Sequence, residues 1–224
     1  MSIATSVKHK LLTDNPYDGI GTFLYSRVGP PALQQHYQIH TRALATQLPS
    51  NARVLDVGSG PADMILQLAR RRQDLELVGL DPAASAIDTG NKKAQKQRCT
   101  NVEFIQSGAD SIPRPDDYFD VITSIGSYKH WPSRENGLSE IKRVLKPGGE
   151  FYIFELDATA GRKNIPSRYK LPALVAMPII KRFIKVGSIS KDITREEVLL
   201  AGFEILQETR VDYMPLYQFV LTKS

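Results

Sequence analysis

The stretch VLDVGSGPAD, residues 54–63, decides the fold of this chain. Its first residues are mostly apolar, as in a short buried strand, and the glycines at positions 58 and 60 let the backbone turn tightly and approach a ligand closely. A dinucleotide-binding loop would normally have another glycine at position 63, where this chain has Asp63. The stretch therefore predicts a strand, a ligand-binding turn and a helix, and it leaves open which ligand the turn holds.

Length and composition allow one α/β domain. The 224 residues can bury one sizeable core, and 42% hydrophobic and 24% charged residues are typical of a soluble globular protein. The sequence shows neither a secretory leader nor an apolar run long enough to span a membrane, so we expect a cytoplasmic protein. Cys99 is the only cysteine, which excludes an intramolecular disulfide and a thiolate metal cluster, and we predict no metal site.

Strands and helices alternate outward from this stretch. Strands are predicted at 53–58, 75–81, 101–106, 118–126 and 150–157, and helices at 62–72, 83–96 and 134–145. This alternation is typical of βαβ units, so we predict an α/β fold with a Rossmann-like, doubly wound sheet of seven strands. The sheet is expected to be mostly parallel with an antiparallel last strand, because the final strands at 204–210 and 216–223 are too close for a helical crossover.

Local signals set the remaining boundaries. Two prolines suit the start of a helix at 31–48, and Thr194 suits the cap of a helix at 194–203. The sequence KPGG, residues 146–149, is predicted to stop the helix before it. The single domain divides into N-terminal helices at 1–48, a core at 50–157, a basic and apolar segment at 158–191 and a C-terminal helix with two strands at 192–224.

The acids around the turn predict its ligand. Ligands of open parallel sheets bind beyond the carboxyl ends of the strands, where Asp81 ends the second predicted strand and can accept both hydroxyls of a ribose. Glycines and a ribose acid fit an adenosine ligand. Asp56 and Asp63 would repel the pyrophosphate of a dinucleotide, which disfavours a nicotinamide dehydrogenase, and would favour a cationic amino group. S-adenosyl-L-methionine carries such an ammonium group and is the predicted cofactor.

Four motifs in order carry a family resemblance over roughly residues 50–157. They read VLDVGSG, LVGLDPAASAID, VEFIQSGADSIPRPDDYFDVI and EIKRVLKPGGEFYIFE. The sequence resembles the class I S-adenosylmethionine-dependent methyltransferases, particularly the small-molecule branch that includes quinone and sterol methyltransferases. The resemblance implies methyl transfer to a small acceptor, and it does not identify that acceptor.

The resemblance also implies which residues hold the cofactor. The methionine part and the sugar of the cofactor are implied to lie above Asp56, Gly58, Ser59 and Gly60, with Ser124 and Ile125 flanking the methionine. The ribose is implied to bind Asp81. The adenine is implied to be lined by Pro82 or Ala83 and met at its edge by Ala109, through its backbone, and Asp110. Tyr17 or Tyr25 resembles a tyrosine that closes over the cofactor, and an ordinary packing role is equally suitable. Relatives commonly have an acid at position 108, where this chain has Gly108. Either Asp110 takes over the contact with the exocyclic amine of adenine, or backbone and packing hold the base.

The family places acceptor-facing residues in the stretch SYKHWPS, residues 127–133. Methyl transfer needs alignment and exclusion of water, and it needs a base only if the acceptor must lose a proton. His130 is the candidate base because its intrinsic pKa lies near neutrality, with ordering of the loop or capping of the next helix as the alternative role. Tyr128 and Trp131 are predicted to stack on an apolar acceptor, with core packing as the alternative for at least one of them.

Motifs that are missing narrow the acceptor. The chain has neither the Asn/Asp-Pro-Pro-Tyr run of amino-methylating nucleic-acid enzymes nor the paired loop glutamates of arginine methyltransferases. It also lacks the paired acids that hold magnesium in catechol-type enzymes. We therefore expect a metal-free enzyme with a small apolar or aromatic acceptor.

The segment at 158–191 concentrates the positive charge of the chain. It contains eight Lys or Arg residues and no Asp or Glu, although the whole chain has a net charge of +5. Nucleic acid is accordingly a disfavoured partner, because the basicity belongs to one segment. The resemblance implies that 50–157 is a cofactor-binding core, that 1–48 forms its cap helices and that 158–191 is a substrate lid. This predicted lid either presents a basic rim to an anionic membrane or acidic substrate, or packs on its own sheet with a solvated basic face. A non-catalytic S-adenosylmethionine-binding protein and an RNA methyltransferase remain alternative functions.

Overall fold

The computed structural model describes residues 20–157, 188–211 and 216–223, with side chains from residue 33 onward. The elements in chain order are α1 (Ile20–Gln47), β1 (Arg53–Val57), α2 (Asp63–Arg71), β2 (Glu76–Asp81), α3 (Ala84–Gln97), β3 (Val102–Gln106), β4 (Phe119–Ile125), a 3₁₀ helix (Tyr128–His130), α4 (Arg134–Val144), β5 (Leu145–Leu156), α5 (Lys191–Leu200), β6 (Phe203–Val211) and β7 (Leu216–Lys223). Strands and helices alternate as the sequence predicts.

The seven strands form one sheet in the order β3-β2-β1-β4-β5-β7-β6. The first five strands pair in parallel, and β7 runs antiparallel to both β5 and β6. The predicted fold class is confirmed, including the antiparallel last strand. Because the strand order reverses between β1 and β4, the crevice in which such sheets bind ligands lies at the carboxyl ends of these two strands.

Strand β1 lies at the centre of two packed layers. Val54 and Leu55 are both fully buried and point to opposite faces of the sheet, as successive strand residues do. Val54 belongs to a cluster that includes Ile65 of α2, whereas Leu55 packs in a cluster with Ile141 of α4. Burial on both faces explains why the sequence of β1 is a nearly continuous apolar run.

Two histidines dock α1 onto the sheet. The ring of His36 meets Phe154 edge-on at 4.4 Å between centroids, and His40 meets Tyr152 at 5.1 Å. Burial lowers the pKa of His36 to about 4, and burial together with the charge of His36 lowers the pKa of His40 to about 3. Both rings are therefore neutral near pH 7, and α1 packs against the sheet through uncharged aromatic side chains.

The predicted start of this helix at Pro31 is wrong. Helix α1 begins at Ile20 and continues through Pro30 and Pro31. Proline disfavours a helix interior by about 3 kcal/mol because it lacks an N–H donor and crowds the preceding turn. Because of that cost, a proline often marks the start of a helix in a sequence. In α1, however, the two prolines lie inside the helix.

The predicted cap of α5 is also corrected. The helix begins at Lys191, and the Oγ of Ser190 accepts a hydrogen bond from the N–H of Asp192 at 3.2 Å. Thr194 is fully buried within the helix, and its hydroxyl lies 2.7 Å from the hydroxyl of Tyr217. Thr194 therefore makes a tertiary contact with Tyr217, and Ser190, four residues earlier, supplies the cap.

KPGG does not end α4 as predicted. The helix ends at Val144, and Leu145 is already extended, so residues 146–149 lie within β5. Gly148 has φ +73°, and a Cβ at Gly149 would lie 2.9 Å from the carbonyl oxygen of Asp120. The two glycines therefore let the start of β5 lie close to β4, where the pairing of these two strands is irregular. The division of the chain into four segments stays a prediction, since residues 1–19 and 158–187 lie outside the described part.

Candidate functional site

The loop after β1 turns back over the end of β2. The N–H groups of Gly58 and Ser59 both donate to the carbonyl of Leu80, at 2.7 and 2.9 Å. Gly58 has φ +71°, and a Cβ at this position would overlap the side chain of Ser127. Gly60 has φ +49°, and a Cβ there would meet no atom within 4 Å. One glycine thus permits a close approach of two loops, and the other faces open space.

Asp81 is fixed between two loops by their backbone. Its Oδ2 accepts from the N–H of Gly60 and its Oδ1 accepts from the N–H of Ala83, both at 2.9 Å. Each oxygen of a carboxylate has a second lone pair, so the group can still accept two hydroxyls. The geometry fits the predicted ribose contact.

Asp56 is a buried carboxyl at the end of β1. It is 3% exposed, and its Oδ1 accepts from the hydroxyl of Thr123 at 3.1 Å. Burial raises the pKa of Asp56 from 3.8 to about 7, the charge of Asp81 adds to the rise, and the hydrogen bond from Thr123 opposes it. Burial therefore favours the protonated form of this carboxyl, and a cation beside it would favour its ionised form.

Asp63 is not the free charge that the sequence argument assumed. Its Oδ1 lies 2.6 Å from the Nζ of Lys93, which also donates to the carbonyl of Pro61 at 2.8 Å. The lysine comes from α3 and compensates the charge of Asp63. The case against a pyrophosphate consequently rests on Asp56 and on the missing glycine, and not on two repelling acids.

Serine hydroxyls join the carboxyl ends of β1 and β4. The Oγ of Ser127 donates to the carbonyl of Val57 at 2.6 Å and lies 2.8 Å from the Oγ of Ser124. Ser124 and Ile125 are both buried, so only their backbone is available to flank a cofactor. Ser59 is likewise turned inward, with its Oγ beside Gly79. Ser127 begins the stretch that was predicted to face the acceptor, but its contact with the loop at Gly58 depends on the folded arrangement and has no signal in the sequence.

The loop after β3 is attached to the loop after β2. The N–H of Ser107 donates to the carbonyl of Asp81, and the side-chain amide of Gln106 donates to the carbonyl of Pro82, both at 3.2 Å. Ala109 is buried, whereas Pro82 and Asp110 are exposed. These two hydrogen bonds join the loops that carry the residues predicted to line the adenine, and that role stays a prediction.

The predicted acceptor residues are mostly enclosed. Tyr128 has no exposed surface, its hydroxyl donates to the Oε2 of Glu197 at 2.7 Å, and its ring packs edge-on against Trp131 at 5.0 Å. We correct the prediction that Tyr128 stacks on the acceptor, because both its ring and its hydroxyl are used in the core. Trp131 is 7% exposed and packs against Gly137, where any Cβ would overlap the indole.

His130 ends the 3₁₀ helix and is a weaker base than its type suggests. Partial burial lowers its pKa to about 4, and the charge of Lys129 adds to this effect. The imidazole is neutral near pH 7, so it can accept a hydrogen bond but holds a proton poorly. Its predicted role as a base stays a prediction with this restriction.

A buried ion pair that sequence reasoning missed holds the 3₁₀ helix on β5. Glu155 is fully buried, and its Oε1 accepts from the N–H of Lys129 at 3.3 Å. The Nζ of Lys129 lies 3.3 Å from the Oε2 of the same carboxyl. Burial raises the pKa of Glu155, and the ammonium of Lys129 opposes the rise. The pair places His130 at the carboxyl end of the sheet.

Some predicted features lie outside the described residues. These are the side chain of Tyr25, Tyr17, and residues 158–187 of the predicted lid. In the part of the chain that the structure describes, no three His, Cys, Asp or Glu side chains group as a metal site would require.

Comparison with known proteins gives a family match for the core. The family described as a methyltransferase domain matches residues 54–149. The demethylmenaquinone methyltransferase of Thermus thermophilus is 34% identical over 103 residues, which cover 46% of this chain and 46% of the relative. A ubiquinone/menaquinone biosynthesis C-methyltransferase of Geobacter sulfurreducens is 36% identical over 126 residues, 54% of this chain and 49% of the relative.

A solved structure from Methanococcus maripaludis shows the same fold across nearly the whole chain. This putative S-adenosylmethionine-dependent methyltransferase superposes with a TM-score of 0.72 at 21% identity, covering 95% of this chain and 96% of that one. The chain spans about half the length of the curated relatives it matches. The match of residues 54–149 confirms the predicted resemblance of the core to methyltransferases, and the solved structure shows the same fold.

Proposed function

We propose that this chain transfers the methyl group of S-adenosyl-L-methionine to a small apolar or aromatic acceptor of quinone type. The observation that carries the proposal is the carboxylate of Asp81, which the N–H groups of Gly60 and Ala83 fix at the ligand-binding edge of the sheet. The names of the relatives from Thermus and Geobacter refer to menaquinone chemistry, and this similarity supports a quinone-type acceptor.

The residues of the site fit the separate parts of the cofactor. Asp81 has lone pairs left for the two hydroxyls of a ribose. Asp56 is a buried carboxyl whose ionised form an ammonium group would stabilise. Gly60 leaves open space above the loop, so a ligand can approach the backbone closely. These features support an amino-acid tail beside Asp56 and an adenosyl group beside Asp81.

The residues of this chain contribute to catalysis by aligning the acceptor with the methyl group more than by transferring a proton. When bound, S-adenosylmethionine supplies a methyl group on a positively charged sulfur. Methyl transfer to an aligned acceptor gains chiefly from positioning and from exclusion of water. His130 can accept a hydrogen bond from an acceptor hydroxyl, but its pKa of about 4 leaves little capacity to hold the proton. The 3₁₀ helix is therefore assigned to positioning the acceptor.

Transfer of a labelled methyl group tests the proposed function. The protein is incubated with labelled S-adenosylmethionine and a reduced, demethylated naphthoquinone or benzoquinone in detergent, and the label is expected in the extracted quinol. Label transfer to none of these acceptors, with calorimetry still showing cofactor binding, would overturn the quinone-type acceptor.

Asp81→Ala tests the assigned cofactor site. The substitution should weaken binding of the cofactor by tenfold or more, about 1.4 kcal/mol, because it removes charge-assisted hydrogen bonds. The matched control is Glu204→Ala, which removes an exposed carboxylate from β6 at the opposite edge of the sheet. Unchanged calorimetric affinity in Asp81→Ala would contradict the assignment.

The proposed membrane contact of the lid needs its own test. None of the described helices is long and apolar enough to cross a membrane. The basic segment at 158–191 supports a peripheral contact with anionic lipid. Sedimentation with liposomes should show stronger binding to anionic than to neutral vesicles, and equal binding would remove the membrane contact from the proposal.

A further inference from the structure

Lys93 reaches from α3 to the loop that follows β1. Its Nζ donates to the carbonyl of Pro61 at 2.8 Å and to the Oδ1 of Asp63 at 2.6 Å. The side chain is 32% exposed, so the ammonium group lies at the boundary between solvent and the loop. An ammonium group has three donors, and Lys93 uses two of them to hold the residues on either side of Ala62.

The part of the loop that Lys93 contacts has an unfavourable backbone conformation. Ala62 has φ +64° although it is not a glycine, and it is fully buried. A left-handed conformation costs free energy in a residue with a Cβ, and it persists only where the surroundings hold it. Ala62 also directly precedes α2 and, as an alanine, has no side chain that could cap this helix. The turn therefore depends on contacts from neighbouring elements.

Two side chains of one βα unit hold two consecutive residues of this loop. Asp81, at the end of β2, accepts from the N–H of Gly60 at 2.9 Å. Lys93, on the helix that follows β2, donates to the carbonyl of Pro61, the next residue. Both contacts are charge-assisted hydrogen bonds to the backbone, which are stronger than neutral ones. Because Gly60 lies at the proposed cofactor edge, a contact that fixes Pro61 also fixes the backbone on which the cofactor would lie.

Neutralising Asp63 does not by itself account for Lys93. Asp63 lies in the first turn of α2, where the helix dipole favours a negative charge. Its side chain is 24% exposed, so water also solvates the carboxylate. The hydrogen bond to the carbonyl of Pro61, in contrast, acts on the backbone of the loop itself. It is the contact through which Lys93 can set the shape of the loop.

We infer that Lys93 is a positioning residue for the cofactor, which fixes the loop at 58–62 in its binding shape through the carbonyl of Pro61. This inference rests on the proposed function, because it requires the cofactor to lie on this loop. Lys93 acts through the loop and not on the reacting atoms. Its loss should therefore weaken the binding of the cofactor equally in the ground state and in the transition state, which raises KM and leaves kcat unchanged.

Calorimetry with S-adenosylhomocysteine tests the inference. Lys93→Met removes both hydrogen bonds and should weaken binding by about tenfold, the scale of a hydrogen bond from a charged group. Lys93→Arg should restore most of the affinity, because a guanidinium can still donate to a carbonyl. Asp63→Asn removes only the charge of the ion pair and should change the affinity by about twofold at most. Lys92→Met is the matched control, since Lys92 is the exposed neighbour of Lys93 on α3, and it should leave the affinity unchanged.

Kinetics separate positioning from a purely structural role. In the labelled-methyl assay, Lys93→Met should raise the KM for S-adenosylmethionine by about tenfold and keep kcat within about twofold of the unchanged protein. A purely structural role would instead lower the concentration of folded enzyme, so kcat would fall while KM stayed the same. Urea denaturation of Lys93→Met and Lys92→Met measures that loss of folded protein directly.

The outcomes distinguish this inference from the proposed function. If the unchanged protein does not bind S-adenosylhomocysteine, the proposed function fails and this inference fails with it. If the unchanged protein binds it and Lys93→Met retains the full affinity, only the role of Lys93 is overturned. Equal losses in Lys93→Met and Asp63→Asn would overturn the role of the Pro61 carbonyl and assign the effect to the ion pair.

Discussion

The two sides of the crevice, the proposed cofactor side and the proposed acceptor side, are held in different ways. On the cofactor side, backbone N–H groups within one βαβ unit fix Asp81, and a glycine faces open space. On the acceptor side, side chains from distant elements hold the 3₁₀ helix, with Tyr128 bonded to Glu197 and Lys129 paired with Glu155. The first arrangement follows from a short stretch of sequence, whereas the second exists only once the sheet and α5 are assembled.

The largest expected effect is on the close approach at Gly58. Gly58→Ala should abolish measurable cofactor binding and lower the free energy of unfolding by about 3 kcal/mol, because its Cβ would overlap Ser127 at a positive φ. The matched control is Gly126→Ala, which has φ +69° but open space around its Cβ and should cost about 1 kcal/mol. Urea denaturation and calorimetry measure both quantities, and equal losses for the two variants would contradict the role given to Ser127.

The next effect is on the pairing that holds the acceptor side. Partial burial would raise the pKa of Glu197, but hydrogen bonds from Arg134 and Tyr128 outweigh it and hold the pKa below 4.5. The stability from this carboxylate is therefore present above about pH 4.5 and is lost as the pH falls through the lower folded pKa. Glu197→Gln should cost about 2 kcal/mol at pH 7 and progressively less as the pH falls below 4.5, with cofactor affinity unchanged.

Glu196→Gln provides the control for this prediction. Glu196 is the exposed neighbour of Glu197 on α5, so its substitution removes the same charge without breaking the pair. Stability measured by urea denaturation should not change in this variant. A loss of cofactor affinity in Glu197→Gln would show that the two sides of the crevice are not independent.

The same contrast explains what the sequence could predict. The alternation of strands and helices along the chain, the glycine turn and the position of Asp81 follow from local patterns and were predicted. Lys93 lies on another helix from the Asp63 that it neutralises, and no motif links Glu155 to Lys129. The aromatic character of Tyr128 fitted both an apolar acceptor and a core, and only its burial decided between them.

A smaller effect is expected at the buried carboxyl of the cofactor side. Because the folded pKa of Asp56 is about 7 against an ordinary 3.8, the folded state binds more protons, and this residue lowers stability as the pH rises from about 4 to 7. Asp56→Asn should therefore be more stable than the unchanged protein at pH 7.5 and nearly equal to it at pH 4, because only the unchanged protein keeps an ionisable group at this buried position. Its cofactor affinity should nevertheless fall.

Asp88→Asn is the control for this pH dependence, since Asp88 is an exposed carboxylate on α3. Urea denaturation at pH 4 and pH 7.5 gives the free energies of unfolding for the three proteins. A difference between Asp56→Asn and the unchanged protein that stays constant across this range would contradict the raised pKa.

The smallest expected effect is at His130. Its pKa of about 4 keeps the ring neutral from pH 6 to pH 8, so its ionisation should not shape the pH profile of kcat/KM in that range. His130→Asn should lower kcat/KM because the acceptor is positioned less well. The shape of the pH profile of kcat/KM should stay the same. An inflection between pH 6 and 7 that disappears in the variant would instead identify His130 as the base.

The central claim is that the edge of the sheet at Asp56 and Asp81 binds an adenosyl group with a cationic amino-acid tail. Calorimetric titration of the unchanged protein with S-adenosylhomocysteine, and separately with NAD⁺, tests it most directly. The account predicts saturable binding of S-adenosylhomocysteine that Asp81→Ala weakens by tenfold or more, and no measurable binding of NAD⁺. Binding of NAD⁺ without binding of S-adenosylhomocysteine would contradict it.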